Sequence, residues 1–296
     1  MLKKSLITTL IFIWCALTLA SDFKIFFLNV GEGEAIYIET PNTQKVLIDS
    51  GNLISGYKVV NFLKRKGIEE IDFLIITHPH LDHMGGIFHV LQHIKVKRCY
   101  DNGQPLPKNN DIYRWYNDLF RKDNYKPLKA GEKIILGNVI INVLSPEKFT
   151  SDWNANSLVL KINYGETSFL LMGDANIKVE KMLLEKNINL KADVLKVGHH
   201  GAKDASSERF IEAVSPQYAV ISIDENNIRG YPAVSVIKRF QSKGIKLFFT
   251  YRDGDIIFKS NGKNIFIYSF EFPKKLIDQQ HYPLHLKLYH TTQRIY

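Results

Sequence analysis

The sequence predicts an α/β protein built from two sheets packed face to face, with helices outside. Three observations carry that prediction. Short apolar runs alternate with Gly-containing turns, the order strands then helices occurs twice, and at three places a strand runs into residues that ligate metals. The carboxyl ends of strands are where α/β sheets place their chemistry.

A chain of 296 residues with 45% hydrophobic content can bury a full core, and 12% aromatic residues argue against disorder. Lys and Arg number 39 against 30 Asp and Glu, a net charge of +9. Without Lys3 and Lys4 the count is 37 against 30, or +7, which favours anionic partners, although basic side chains scattered over a large surface give the same total. Residues 1–20 read as a signal peptide: Lys3-Lys4 is a charged start, Leu6 to Leu19 is apolar, and Thr18-Leu19-Ala20 precedes a cut ahead of Ser21. The apolar run is short for a membrane span. Export to the periplasm or the extracellular space, with no stable membrane anchor, is therefore expected. Trp14 before Cys15 does not fit a lipoprotein acylation site, and the mature chain keeps Cys99 alone, so no internal disulfide is expected.

The first strands are Ile25 to Val30, Ala35 to Ile38 and Lys45 to Ile48, antiparallel and joined by hairpins. Asp49 follows the third, either as a turn residue or as a carboxylate that orients the histidine loop from behind. Val59, Val60, Phe62 and Leu63 give Tyr57 to Lys66 a helical period that Gly67 stops. The β-branched run Phe73-Leu74-Ile75-Ile76 is a buried strand ending at Thr77. His78-Pro79-His80-Leu81-Asp82-His83 comes next, four ligand-type residues within six positions. No single regular element aims all four at one point, but a tight turn does. His78 and His80 project together, while Asp82 and His83 follow the bend and can face a second ion. Imidazole and carboxylate suit zinc or manganese, and the lack of thiolate argues against a closed structural zinc site.

Met84 to Ile94 reads as one helix with Ile87, Val90, Leu91 and Ile94 inward. His89 and His93 are four apart on it, but Val90 stands where a metalloprotease needs Glu, so they are assigned to a solvated face. Asp101 to Lys129 reads as an insertion over the site with a short helix at Asp111 to Arg121, whose Tyr113, Trp115 and Tyr116 either pack inward or stack on a base. Strands resume from Gly131 to Leu144, then at Leu158 to Ile162 and Thr167 to Met172, which delivers Asp174. An amphipathic helix from Ile177, a strand from Ala192 to Gly198 and then His199-His200 follow. Phe210 to Val214 and Val234 to Gln241 are helical, and Tyr218 to Ile223 is a strand. Ile245 to Thr250 and Asp255 to Phe258 close the sheet around Tyr251-Arg252-Asp253-Gly254. Leu284, Leu286 and Leu288 alternate with His285 and Lys287 as in a half-buried strand.

The stretches Leu28 to Ala35, Leu47 to Gly51, His78 to His83, Asn154 to Leu160, Leu171 to Asp174, Asp193 to Gly201 and Thr250 to Gly254 resemble, in order and spacing, the metallo-β-lactamase fold superfamily. Within it they are most similar to the soluble hydrolase domain of ComEC-type DNA-uptake proteins. The resemblance covers residues 23 to about 260 and implies a four-layer αββα sandwich at 21–271 with a C-terminal extension at 272–296. It implies two divalent metal ions, with His78 and His80 on one, Asp82 and His83 on the other, and Asp174 bridging. His199 or His200 would complete the second site. Superfamily members in general carry a His near Asn154, and its absence, shared with the DNA-uptake group, implies that the first ion is weakly held. Tyr231 stands where that group has His before Pro232, Ala202 where Ser follows His-His-Gly, and Asn29 where Asp is usual. A phenol titrates far above neutrality, which puts in question the acid role expected at Tyr231.

The expected function is an exported metal-dependent hydrolase that cleaves phosphodiester bonds, in nucleic acid, by attack of a metal-bound hydroxide oriented by Asp82. Asn154, Lys203, Tyr231 and Arg252 are the candidates for holding the phosphate. Two alternatives stand beside it: hydrolysis of a lactam, thioester or lactone on the same fold, and a non-catalytic DNA-binding module of an uptake system. Tyr231 and Ala202 suggest the latter.

Overall fold

The computed structural model describes residues 22–270 and 287–289. The expected signal peptide and Leu284 and Leu286 of the expected tail strand lie outside the described residues. Three antiparallel strands, β1 (Phe23–Phe27), β2 (Ile36–Glu39) and β3 (Lys45–Ile48), open the chain. Helix α1 (Gly56–Arg65) crosses over to β4 (Glu70–Ile75), parallel to β3. The short α2 (Leu81–Met84) and then α3 (Ile87–His93) lead to β5 (Lys95–Asp101), and α4 (Asp111–Phe120) to β6 (Tyr125–Pro127), both strands parallel to their predecessors.

The second half repeats the scheme. β7 (Lys133–Leu136), β8 (Val139–Ser145), β9 (Val159–Tyr164) and β10 (Thr167–Leu171) are antiparallel. Then α5 (Ile177–Glu185), β11 (Val194–Lys196), α6 (Glu208–Val214), β12 (Tyr218–Ile221), α7 (Val234–Ser242) and β13 (Lys246–Phe249) alternate, with their strands parallel to β10. After α8 (Thr250–Asp253), β14 (Asp255–Ser260), β15 (Ile265–Phe270) and β16 (Lys287–Tyr289) join the first sheet.

Two sheets result, ordered β16-β15-β14-β1-β2-β3-β4-β5-β6 and β13-β12-β11-β10-β9-β8-β7. Residues 250–254 therefore do not close one sheet, as the sequence suggested; they carry the chain from the edge of one sheet into the other. Strand alternation sorts the apolar side chains into separate cores. One lies between the sheets, where Phe23, Phe27, Phe169 and Phe258 are fully buried. Burial of each such side chain stabilises the fold by about 1.5–3 kcal/mol. A second core joins the first sheet to α1, α3 and α4, and a third joins the other sheet to α5, α6 and α7. These three cores are the interfaces of an αββα sandwich.

The helix expected from Met84 to Ile94 is broken into α2 and α3 at Gly85-Gly86. Gly86 N–H donates to Gly51 O, and a Cβ on Gly86 would lie 1.8 Å from Ser50 O. The backbone of the Asp49 loop takes the place of a side chain there. Of Tyr113, Trp115 and Tyr116 on α4, Tyr116 is fully buried with its hydroxyl donating to Asp101 Oδ2, Tyr113 is half-buried, and Trp115 stays exposed against the edge of Phe88. No helix among the described residues is long and apolar enough to cross a membrane.

Candidate metal centre

The loop after β4 is fixed before its histidines begin. Ile76 N–H donates to Tyr100 O at 2.8 Å, and Thr77 donates to Asp49 through its N–H (2.7 Å) and its hydroxyl (2.8 Å). Leu158 N–H donates to Thr77 O, tying the loop to the other sheet. Asp49 also accepts from His83 Nδ1 at 2.7 Å. Asp49 thus takes three donors from the histidine loop, Thr77 N–H, Thr77 Oγ1 and His83 Nδ1.

Two groups of side chains meet at this edge of the sandwich: His78, His80 and Asp174, and beside them Asp82, His83 and His200, with ligand atoms in each group within 4.8 Å of one another. Asp174 reaches both. Its Oδ2 lies 3.7 Å from His78 Nε2, and its Oδ1 lies 3.2 Å from His83 Nε2 and 3.4 Å from His200 Nε2. His78 Nε2 is 3.0 Å from His80 Nδ1. The second imidazole nitrogens are occupied outside the cluster. His83 Nδ1 donates to Asp49, His200 Nδ1 to Ser222 O at 2.8 Å, and His78 Nδ1 meets Thr77 Oγ1 at 3.1 Å. The inward atoms His83 Nε2, His200 Nε2 and Asp174 Oδ1 are buried without a hydrogen-bond partner. Buried polar atoms left bare are costly, and converging nitrogen and carboxylate lone pairs with their outer nitrogens so held fit divalent cations.

The electrostatics follow from the same contacts. Burial alone would lower the His83 pKa, but the Asp174 and Asp49 carboxylates outweigh it and hold it well above the imidazole range. Burial would raise Asp174, yet the charges of His83 and His200 keep it well below the carboxylate range. For His78 burial dominates, with the neighbouring His83 charge, and pushes its pKa well down.

His199 and His200 both adopt left-handed backbone, with φ of 46° and 51°. That pair of turns aims the two rings apart. His200 joins the cluster, whereas His199 Nε2 meets Asn154 Nδ2 at 3.1 Å and its Nδ1 lies 3.2 Å from Asp204 Oδ1. Tyr231 sets its ring 5.4 Å from that of His199, and burial above all raises its phenol further. A cavity of about 400 Å³ opens over the cluster, lined by Asp82, Asp174, His80, His199, Asn154, Tyr113 and the acidic Glu32 among others. Lys203 is exposed and Arg252 donates to Leu247 O and Asp253, and neither lines this cavity. The cation that does is Arg229, 3.2 Å from Asp82 Oδ2 and 3.0 Å from Glu32 Oε1. Nothing in the Asn-rich stretch around Arg229 marks it in the sequence. Trp153, stacked on His80 at 5.6 Å, was likewise without a signal. His89 and His93 lie away from the cluster; His89 is half-buried with Nε2 on Leu53 O, and His93 is exposed.

The family model of the metallo-β-lactamase superfamily matches residues 28–224. The chain is 32% identical over 263 residues to ComE operon protein 3 of Bacillus subtilis, covering 81% of this chain and 33% of that protein. It is 29% identical over 255 residues to competence protein ComA of Neisseria gonorrhoeae, covering 83% and 34%. The chain thus spans about a third of the length of these curated relatives. Among solved structures, the metallo-β-lactamase fold protein YhfI of Bacillus subtilis superposes with a TM-score of 0.56 at 12% identity, over 81% of this chain and 100% of YhfI. CmlA, a diiron β-hydroxylase from Streptomyces venezuelae, gives 0.53 at 14% identity over 78% and 53%. At such identities the likeness concerns the fold alone. Fold, ligand loops and family model agree: the chain belongs to the metallo-β-lactamase superfamily.

Proposed function

We propose that the protein is an exported metal-dependent hydrolase that cleaves phosphodiester bonds in nucleic acid. The observation that carries this reading is the convergence of bare, inward-facing ligand atoms from both sheets on Asp174, at the floor of an open cavity. His78, His80 and Asp174 would hold one divalent ion and Asp82, His83, His200 and Asp174 the other, with zinc or manganese suited to these donors. Ions bound there would lower the pKa of water and neutralise charge developing on phosphoryl oxygens.

The chain's own groups supply the rest. Asp82 lies 3.8 Å from His200 Nε2 and faces the cavity, where the lone pairs not engaged by Arg229 can orient an attacking water. Arg229 replaces Lys203 and Arg252 as the cation placed to hold a phosphate, since a guanidinium matches two phosphoryl oxygens at once. Asn154 presents its amide beside His199 and can donate to the same group. Tyr231 keeps its proton at neutral pH and contributes a hydrogen bond at most. The net charge of +7 that remains without Lys3 and Lys4 suits a polyanion, and the names of the relatives, among them recombination protein 2 of Haemophilus influenzae, favour nucleic acid as the substrate class.

Turnover of bis(p-nitrophenyl) phosphate, single-stranded DNA and nitrocefin by ion-loaded protein tests the proposal. Both phosphodiesters should be cleaved and nitrocefin left intact. Asp174→Asn should lower turnover by roughly a hundredfold or more while the circular dichroism is unchanged. Hydrolysis of nitrocefin alone would transfer the assignment to lactams.

A further inference from the structure

Joined to the Asp82 loop through the backbone of Glu34 is an ion pair that no step above uses. Lys196, on β11, and Glu34, in the turn before β2, are both fully buried, with Nζ and Oε2 2.5 Å apart. Lys196 also donates to Val197 O at 2.8 Å. The Glu34 carboxylate has no hydrogen-bonding partner among the described residues besides this ammonium contact.

Burying two opposite charges brings little net stability, because desolvation offsets their attraction, and an apolar pair of like volume is often as good or better. The reason for this pair is to be sought in what it joins. On one side, Glu34 N–H donates to Asp82 O at 3.0 Å and Glu34 O accepts from Gly51 N–H at 2.8 Å. The histidine loop and the Asp49 loop therefore hang on the backbone of Glu34. Gly33 sits so close to that loop that a Cβ on it would lie 2.1 Å from Asp82 O. On the other side, Lys196 pairs with Leu171 of β10 and Val220 of β12, three residues ahead of Asp174 and two ahead of Ser222, the acceptor for His200. The short charged contact is a fully buried side-chain link between the halves of the sandwich that supply the two halves of this cluster.

We infer that Lys196 and Glu34 are positioning residues, setting the distance between Asp82 and His83 on one sheet and His200 and Asp174 on the other, and thereby the ion affinity of that cluster. The inference rests on the two-ion reading proposed above. A charge-assisted contact of this length is shorter and stronger than a neutral one and so favours a narrow range of separation, which an apolar contact lacks. Ligands misplaced by a fraction of an ångström hold an ion less tightly.

The test uses the full chain, stripped of metal and titrated with Co²⁺ alone, followed by visible absorption, with the thermal midpoint of the ion-free protein recorded in parallel. Lys196→Met should be destabilised, since it strands a buried carboxylate. Lys196→Met/Glu34→Leu should regain the ion-free midpoint. Its tighter Co²⁺ dissociation constant should nevertheless rise at least tenfold, roughly the range found on losing outer-shell partners, with a changed ligand-field band. Glu34→Asp, which keeps both charges but shortens the reach, should show a smaller rise of the same kind and serves where the other variants do not fold. Wild-type affinity and spectrum in the double variant or in Glu34→Asp would overturn the inference while leaving the two-ion reading intact. A wild-type protein that takes up no Co²⁺ would overturn both.

Discussion

An ion at His83 has to compete with a proton. The carboxylates of Asp174 and Asp49 hold its pKa well above 6.5 against the effect of burial. A raised pKa stabilises the ion-free fold fully below the ordinary imidazole value, and that contribution is lost as pH rises through the higher folded value. Asp174 has the opposite sign: its depressed pKa stabilises above the ordinary carboxylate range and fails as pH falls through the folded value. Ion uptake should therefore release about one proton at neutral pH, and affinity should weaken on acidification. Calorimetry in buffers of different ionisation enthalpy measures this directly; binding without proton release would contradict it. Asp82→Asn should keep an ion but lose turnover, because the water it orients is no longer held. His89→Ala is the control, expected to change turnover by less than about threefold, under roughly 1 kcal/mol of barrier. A large loss there would place the chemistry on the wrong histidines. His78, His80, Asp82 and His83 were legible because they are contiguous after a recognisable strand. The choice between His199 and His200 was not, since it depends on two consecutive left-handed residues whose side chains gave no hint of that backbone. Arg229 reaches the cavity from a loop whose path no local pattern encodes.

At the scale of elements, the Asp49 turn, the α2–α3 break and the start of α1 form one unit. Ser50 N–H donates to His83 O at 2.8 Å, and a Cβ on Gly56 would lie 2.6 Å from Gly86 Cα. Gly86→Ala should cost about 3 kcal/mol or more through overpacking, read from urea unfolding. It should also weaken ion binding, because the His83 loop moves with Ser50. An unchanged unfolding midpoint would show that the backbones are not in such contact. Strands and helices with clear periods were legible, and β3 was read to its last residue. The break inside the helix was not, because a Gly-Gly pair in a helical period is tolerated locally and only the approach of a distant loop makes it necessary. The edge strand β6 has three residues and a proline, too little pattern to announce itself.

The whole molecule brings loops from two sheets to one edge, and it is there that sequence order ceases to matter. Asp174 and His200 lie far along the chain from His83, yet Asp174 Oδ1 is 3.2 Å from the His83 ring nitrogen and 3.4 Å from that of His200. The layers were legible from alternation and from the repeated order of elements, whereas the exchange of sheets between β13 and β14 was not, as both are short apolar runs. If the substrate is a polynucleotide, the apparent binding constant for single-stranded DNA should fall steeply with salt, by about 0.7 logarithmic units per decade for each phosphate contacted. A salt-independent constant would speak for a neutral substrate. The proposed two-ion centre stands on the Asp174 carboxylate between its halves. Elemental mass spectrometry of protein purified without chelator tests that most directly. Two transition-metal ions per chain are predicted, the one at His78 and His80 leaving first on dialysis, and less than one in Asp174→Asn. No bound transition metal in the wild-type protein would contradict it.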